Sequence, residues 1–209
     1  RNIENSEEIL LQSSGTSSNN RSKIFSDRFT RINQQRALIK IVSDNLKISV
    51  KNRLNFYIVS KKFSNKIDIF DAQKAAILGF SMFSRKNTFL LKENNEISEE
   101  NLEIMINDKN PYVIFGFTSE IYLKFISYLR INGIKIESKN NFLIHGGGWK
   151  KLINYGISNE ELNIEVQKYL PHINCKNYYG MIEQTGSIFM ECEHGYFHTN
   201  EFADIIVRD

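Results

Sequence analysis

The chain has 209 residues, of which 41% are hydrophobic and 24% are charged, so it is long and apolar enough to form a buried core. Its 27 basic and 24 acidic residues give a formal charge of only +3, which argues against a dedicated nucleic-acid binder. No apolar run approaches the roughly 18 to 20 residues of a membrane span, and two cysteines, Cys175 and Cys192, do not make a disulfide framework. These features predict a soluble, globular, cytoplasmic protein whose thiols stay reduced.

The two ends of the sequence indicate a segment of a longer chain. It begins in a polar run, residues 1–8, with no initiator Met and no apolar leader. It stops just after the strand-like residues 204–207. We therefore expect further sequence after Asp209.

The first distinctive stretch is rich in serine and lies close to the start of the chain. After two leucines come Ser13, Ser14, Gly15, Thr16 and Ser17, and the cations Arg21 and Lys23 follow. Small hydroxylated residues around a glycine are typical of a backbone loop that wraps a phosphate, although a solvated turn is the alternative. No second glycine precedes Lys23, so the stretch is not a Walker loop, and the chain contains neither GxGxxG nor GxSxG.

Helices and strands alternate after this loop. Short apolar runs rich in β-branched and aromatic residues predict strands at 54–60, 112–117, 141–145 and 173–179. Apolar residues at helical spacing predict helices at 29–47, 72–84, 121–131 and 158–170, with an amphipathic turn at 102–106. The helix starts carry residues with N-cap chemistry, namely Asp27, Asp71, Thr118 and Ser158. This alternation predicts parallel strands linked by helices.

The last part of the chain has a different pattern. Residues 187–192, 196–199 and 203–207 are short strand-like runs, separated by turn residues at 194–195 and 200–201. The predicted fold is therefore α/β, with a mostly parallel sheet flanked by helices and then the start of a smaller antiparallel β region. We place the boundary between residues 1–186 and residues 187–209.

Three loops at predicted strand ends are candidates for chemistry, because the carboxyl ends of parallel strands open on one edge of a sheet. The first is the serine-rich loop. In the second, Gly146, Gly147 and Gly148 would let the backbone approach a ligand closely, although a simple strand-to-helix turn is the alternative. In the third, residues 178–185, an aromatic residue could stack on a base and Glu183 could hold a divalent metal, whereas the alternative is an ordinary turn with an exposed acid.

Histidines and cysteines near the carboxyl-terminal end could form a zinc site. The candidate ligands are His172, Cys175, Cys192, His194 and His198. Their spacing matches no CxxC or HExxH pattern, and both cysteines fit equally well as small apolar strand residues.

The three loops together resemble the adenylate-forming superfamily of acyl-activating enzymes, in order and in spacing. Residues 13–17 are similar to its Ser/Thr-Gly phosphate loop, 146–148 to its glycine-rich adenine-side segment, and 179–183 to its Tyr-Gly-x-Thr-Glu stretch. The closer resemblance is to the LuxE-type acyl-protein synthetases, through HGGGWK at 145–150, YGMIEQ at 179–184, GSIFME at 186–191 and FADIIVRD at 202–209.

The resemblance implies an adenylate-forming ligase core that uses ATP and Mg²⁺. An acyl-adenylate forms with release of pyrophosphate, and the acyl group then passes to a thiol. The substrate would be a fatty acid or another carboxylic acid, and the acyl acceptor a carrier, a reductase or another partner protein.

The resemblance also implies site residues. Ser13 to Ser17 would hold the phosphates with Arg21 or Lys23, and Tyr179 with Gly180 would contact adenine. Gly146, Gly147 and Gly148 would line the nucleotide and acyl groove. Glu183 would bind the metal, and Thr16 and Glu183 would be the catalytic residues.

The sequence departs from the family pattern at several positions. Ser18 stands where the phosphate loop usually has glycine, Arg21 where a lysine is common, and Ile182 where a hydroxyl residue precedes the acid. The ribose-binding Asp and catalytic Lys of a mobile carboxyl-terminal domain have no counterpart here, so we expect this segment alone to be inactive. Two alternatives remain open: an aryl or short-chain ligase that uses coenzyme A or a carrier, and an inactive nucleotide- or partner-binding module.

Overall fold

The computed structural model describes residues 9–12, 23–63, 72–181, 184 and 187–208. The chain divides into two compact units. The first consists of Arg1–Val50, Ser64–Met82 and Tyr179–Asp209, and the second of Lys51–Phe63 and Phe83–Tyr178.

The second unit is built on a parallel sheet. Its strands are β3 (Leu54–Lys61), β4 (Ser84–Leu91), β5 (Tyr112–Phe117), β6 (Phe142–Gly146) and β7 (Asn174–Tyr179). They lie in the order β4-β3-β5-β6-β7, and each strand pairs in parallel with its neighbours in this order. Crossover connections carry α3 (Glu99–Ile106), a helix after β5, and α6 (Asn159–Tyr169). The predicted α/β class with a mostly parallel sheet is confirmed.

Two helices of this unit, α3 and α6, begin at capping residues. The Ser158 side chain accepts a hydrogen bond from the Glu161 backbone N–H, and the Glu161 carboxylate accepts one from the Ser158 backbone N–H. This reciprocal capping box starts α6 at the predicted position. At the start of α3 the Ser98 side chain accepts a hydrogen bond from the Asn101 N–H, without the reciprocal bond. The predicted amphipathic turn is in fact an eight-residue helix.

The helix after β5 has an irregular centre. It consists of α4 (Thr118–Glu120), a π-helical segment (Ile121–Ile126) and α5 (Ser127–Ile131). Thr118 was predicted to cap this helix, and that prediction is wrong. Phe117 occupies the N-cap position, and its side chain has no polar atom to cap the helix. The Thr118 hydroxyl instead bonds to His145.

The core of the second unit lies between the sheet and its helices. Fully buried members from β3 and β5 include Val59 and Ile114, and Phe125 and Leu162 come from the helices. Strands β3 and β5 consist of nearly continuous runs of buried residues, as expected for a parallel sheet that is covered by helices.

The described part of the first unit contains two antiparallel strand pairs and two helices. The strands β1 (Ile9–Gln12) and β2 (Lys23–Ser26) form a hairpin in which Gln12 pairs with Lys23. The strands β8 (Phe189–Glu191) and β9 (Phe197–His198) form another, with Gly195 in its turn at φ +79°. The predicted change to antiparallel strands near the carboxyl-terminal end is therefore confirmed.

The helices of the first unit are α1 (Arg28–Leu46) and α2 (Ala72–Phe80). Asp27 caps α1 as predicted: its carboxylate accepts from the Thr30 N–H at 2.7 Å, and that bond lowers the pKa of Asp27. A Cβ on Gly79 of α2 would lie 2.9 Å from Leu38 Cδ2, so the two helices are in close contact there.

Two predicted elements are wrong. The helix predicted to reach Ser84 ends at Phe80, and a 3₁₀ turn (Ser81–Phe83) leads into β4, which was not predicted. The residues predicted as a strand at 203–207 are not in a strand, and Ile206 and Val207 are 76% and 88% exposed. A segment with high strand propensity does not form a strand unless a neighbouring strand pairs with it. Asp71, the predicted cap of α2, lies outside the described residues.

In the described part of the chain, no helix combines the length and apolar content that crossing a membrane requires.

Candidate functional site

The predicted site residues fall into a described and an undescribed group. Gly146, Gly147, Gly148, Tyr179 and Gly180 are described. Outside the described residues lie Ser13, Ser14, Gly15, Thr16, Ser17, Arg21 and Glu183, and of Lys23 only the backbone is described. The structure therefore tests geometry only at the second loop and at the start of the third.

Gly146 closes strand β6 at the carboxyl edge of the sheet. It pairs with Phe117, the last residue of β5. A Cβ on Gly146 would lie 2.4 Å from the Tyr178 backbone oxygen and 2.7 Å from its Cε1. Because Cβ atoms essentially never come that close, only glycine lets β7 approach the end of β6 here.

Gly147 and Gly148 turn the chain away from the sheet. Both have left-handed backbones, with φ of +66° and +77°, a conformation that L side chains rarely adopt. The Gly147 carbonyl accepts from the Thr118 N–H at 3.2 Å, and the Gly148 carbonyl accepts from the Lys151 N–H at 3.0 Å. Gly147 is exposed, so the turn presents bare backbone to solvent at the edge of the sheet.

A buried hydrogen bond lies directly beneath this turn. Thr118 Oγ1 and His145 Nδ1 are 3.0 Å apart, and both residues are completely buried. The bond ties the residue before the glycine turn to the first residue of the helix after β5. Burial lowers the pKa of His145 from 6.5 to about 3, so its imidazole is neutral at physiological pH.

Two buried polar atoms beside the turn have no hydrogen-bond partner among the described residues. They are His145 Nε2 and the hydroxyl of Ser119, whose side chain is 1% exposed. The Ser119 Oγ lies 2.6 Å from the position that a Cβ on Gly148 would take. The hydroxyl therefore points at the backbone of the turn.

The turn continues into a 3₁₀ segment (Trp149–Tyr155). The half-buried Trp149 ring contacts the His145 ring edge-on, with centroids 6.2 Å apart. Lys151 forms an ion pair with Glu120 at 3.7 Å. An exposed pair of this kind contributes little stability, but it adds a second link between the turn and the helix after β5.

Tyr179 belongs to the other unit, where it is 49% exposed. Its ring lies 6.2 Å from that of Phe189 and 6.3 Å from that of Phe197, between centroids. These tilted contacts fix one side of the ring and leave the rest accessible. The residue can therefore offer an aromatic surface to a planar ligand.

No metal-binding cluster is found among the described side chains, since nowhere do three or more His, Cys, Asp or Glu residues come together suitably. Within the described part of the chain, neither Cys175 nor Cys192 forms a disulfide. The zinc hypothesis thus gains no support from its five candidate residues, all of which are described.

A second polar cluster lies in an open cleft of about 550 Å³ at the amino-terminal part of β3. Asp108 Oδ2 accepts from Asn55 Nδ2 at 2.7 Å and from the Tyr57 hydroxyl at 2.8 Å. Burial acts to raise the pKa of Asp108, but these bonds, with two more from Asn110, outweigh it and hold that pKa below its usual value.

Sequence reasoning missed Thr118, Ser119 and His145 as site residues. A signal for them was present, because Thr118 and Ser119 directly follow one predicted strand and His145 is the last residue of the next. Hydroxyl residues at the carboxyl end of a buried parallel strand are placed at the edge where ligands bind.

Comparison with known proteins identifies the family. The family model described as acyl-protein synthetase, LuxE, matches residues 2–209, which is almost the whole chain. Among the curated proteins compared with the chain, none matches it.

Proposed function

Because the chain belongs to the LuxE acyl-protein synthetase family, we propose that it activates a fatty acid with ATP and passes the acyl group to a protein thiol. The family match over residues 2–209 carries this proposal. In the first step a carboxylate oxygen attacks the α-phosphorus of ATP, the bond to the β-phosphate breaks, and pyrophosphate leaves. In the second step a thiolate attacks the acyl carbonyl, a thioester forms, and AMP leaves.

The serine-rich loop is the proposed phosphate site. The backbone and hydroxyls of Ser13 to Ser17 would hold the leaving phosphates, with Thr16 in a catalytic role and Arg21 or Lys23 adding positive charge. The hairpin supports this role, because the pairing of Gln12 with Lys23 brings together the two ends of segment 13–22.

Glu183 is the proposed Mg²⁺ ligand. A carboxylate is the ligand type that Mg²⁺ prefers, and the metal would neutralise charge on the phosphates. No described residue is proposed to bind the metal.

The glycine turn is proposed to line the groove for nucleotide and acyl group. Gly147 and Gly148 support this because they leave exposed backbone at the carboxyl edge of a parallel sheet, where ligands of such sheets bind. Tyr179, with Gly180 after it, is proposed to stack on adenine, which its half-exposed ring allows. Since a carboxylate is already a nucleophile, the first step needs no general base, and positioning supplies most of the catalysis.

The decisive experiment is exchange of labelled pyrophosphate into ATP by the full-length protein. We expect exchange that depends on both a fatty acid and Mg²⁺, with a rate that varies with acyl chain length. Exchange only with aryl or short-chain acids would show that the substrate is one of these acids and not a fatty acid. No exchange, together with no calorimetric heat from ATP and Mg²⁺, would overturn the proposal in favour of an inactive module.

The role of Glu183 has its own test. Glu183→Gln should remove most of the Mg²⁺ dependence of ATP binding, since it deletes one negative oxygen ligand. Glu193→Gln is the matched control, because Glu193 lies on the exposed turn between β8 and β9. Equal Mg²⁺ dependence in both variants would remove Glu183 from this role.

A further inference from the structure

Ser119 is a hydroxyl residue whose position carries an energetic cost. Its side chain is 1% exposed, and within the described part of the chain its Oγ has no hydrogen-bond partner. Burying a hydroxyl without a partner is unfavourable, and alanine would fill nearly the same space without that cost. The free chain therefore gains nothing from this hydroxyl through internal hydrogen bonding.

The hydroxyl lies where a ligand is expected. Ser119 is the second residue after β5, at the carboxyl edge of the sheet, and its Oγ is directed at Gly148 of the exposed turn. Ser84 offers a contrast: it is also buried, and its Oγ has no partner among the described residues, but it begins β4 at the amino edge. Of these two serines, Ser119 is the one whose unpartnered hydroxyl lies beside the glycine turn.

The segment that carries Ser119 is held in place from β6. Thr118 bonds to His145 Nδ1 through its side chain and to the Gly147 carbonyl through its backbone N–H. His145 is neutral, and its buried Nε2 is likewise unpaired among the residues described. The pair thus fixes the position of Ser119 relative to the turn without placing a charge there.

We propose that Ser119 donates its hydroxyl hydrogen to an oxygen at the reacting end of the substrate, and that His145 positions Ser119 through Thr118. The oxygen belongs either to the acyl carboxylate or to the α-phosphate, both of which are acceptors that a neutral hydroxyl can bind. This inference rests on the proposed function, and it adds a substrate-contacting residue and a positioning residue to the glycine turn.

The test compares three serine variants of the full-length protein. Ser119→Ala should weaken binding of a non-hydrolysable acyl-adenylate analogue about tenfold while leaving Tm unchanged or raised, because the hydroxyl makes no internal bond. Ser84→Ala should bind the analogue as the wild type does, and its Tm should be unchanged or raised. Ser138→Ala should lower Tm without affecting binding, since its buried Oγ donates to the Ile136 carbonyl at 2.8 Å.

Separate titrations with ATP and Mg²⁺ and with the fatty acid identify the oxygen. Weaker ATP binding in Ser119→Ala assigns the hydroxyl to the α-phosphate, and weaker acid binding assigns it to the carboxylate. A lower Tm with unchanged binding of all three probes would show a structural hydroxyl and overturn the inference. If the wild-type protein binds none of the probes, the proposed function itself fails.

The positioning role of His145 is tested by two substitutions. His145→Asn keeps a polar atom near the Nδ1 position and can retain the bond to Thr118, whereas His145→Gln places its amide nearer Nε2. We expect Asn to preserve analogue binding and kcat better than Gln, with Thr118→Val resembling Gln. The opposite order would assign the contact to Nε2 and overturn the positioning role.

Discussion

The Tyr178 backbone oxygen lies 2.4 Å from the point where a Cβ on Gly146 would stand, and the Tyr178 ring covers the same point at 2.7 Å. The Tyr178 ring is itself stacked on Phe115, with centroids 6.1 Å apart and planes at 15°. Neither the oxygen, which belongs to strand β7, nor the stacked ring can move away cheaply. The end of β6 is therefore fixed against β7 just before the chain enters the glycine turn.

Gly146→Ala is expected to lower the free energy of unfolding by about 3 kcal/mol, because the added methyl overlaps backbone as well as ring. Urea denaturation of the purified protein measures this. Gly133→Ala is the control: Gly133 has φ +64° and open space around its Cβ position, so it should cost only about 1 kcal/mol of backbone strain. Equal losses for the two variants would contradict the steric account.

Gly148→Ala should disturb Ser119 in particular. The new Cβ would meet the Ser119 Oγ at 2.6 Å, in addition to the strain of a left-handed backbone. We expect a loss of analogue binding that is not additive with Ser119→Ala, since both changes act on one hydroxyl. A double-mutant cycle of binding free energies checks this, and strict additivity would show that the two positions act independently.

His145 should make the protein sensitive to acid. Its pKa is about 3 in the folded state and 6.5 ordinarily, so between these values the unfolded chain binds the extra proton. The free energy of unfolding should therefore fall as pH falls from about 6.5 towards 3, by up to about 1.4 kcal/mol per pH unit. Unfolding measured across this range should show a flatter dependence in His145→Asn than in the wild type; parallel curves would contradict this.

Tyr57→Phe should cost about 2 kcal/mol at pH 7, because it removes a hydrogen bond to the ionised Asp108. In an Asp108→Asn background the same change should cost about half as much, since the acceptor is then neutral. Because the pKa of Asp108 is lowered, its contribution is present above pH 3.8 and is lost as pH falls through the lower folded value. Equal costs in both backgrounds would rule out a charge-assisted bond.

Local chemistry explains which elements could be predicted. The Asp27 cap and the Ser158 capping box are decided by neighbouring residues, so α1 and α6 begin where the sequence indicates. Strand β4 was missed because Arg85, Lys86 and Asn87 are exposed, which hides the buried residues Thr88, Leu90 and Leu91. A strand with three consecutive exposed polar residues carries too weak an apolar pattern to be separated from the preceding helix.

The candidate site was only partly predictable for a related reason. The three glycines are visible in the sequence as a run. Glycine is required at position 146, however, because a Cβ there would clash with Tyr178, which is 32 positions away in the sequence. Likewise, Thr118 has the chemistry of a local cap, and only the pairing of β5 with β6 reveals His145 as its partner. Where a side chain can either cap its own helix or bond to a neighbouring strand, as Thr118 can, the contact with the neighbouring strand prevails.

The hairpin of β1 and β2 has a further consequence for how a phosphate could be bound. Closing a chain segment as long as 13–22 costs conformational entropy of about 2 kcal/mol. The antiparallel pairing of Gln12 with Lys23 meets that cost when the protein folds. If this segment holds the phosphates as proposed, a bound nucleotide would not have to supply that closure cost, so more of its binding energy would be available for affinity.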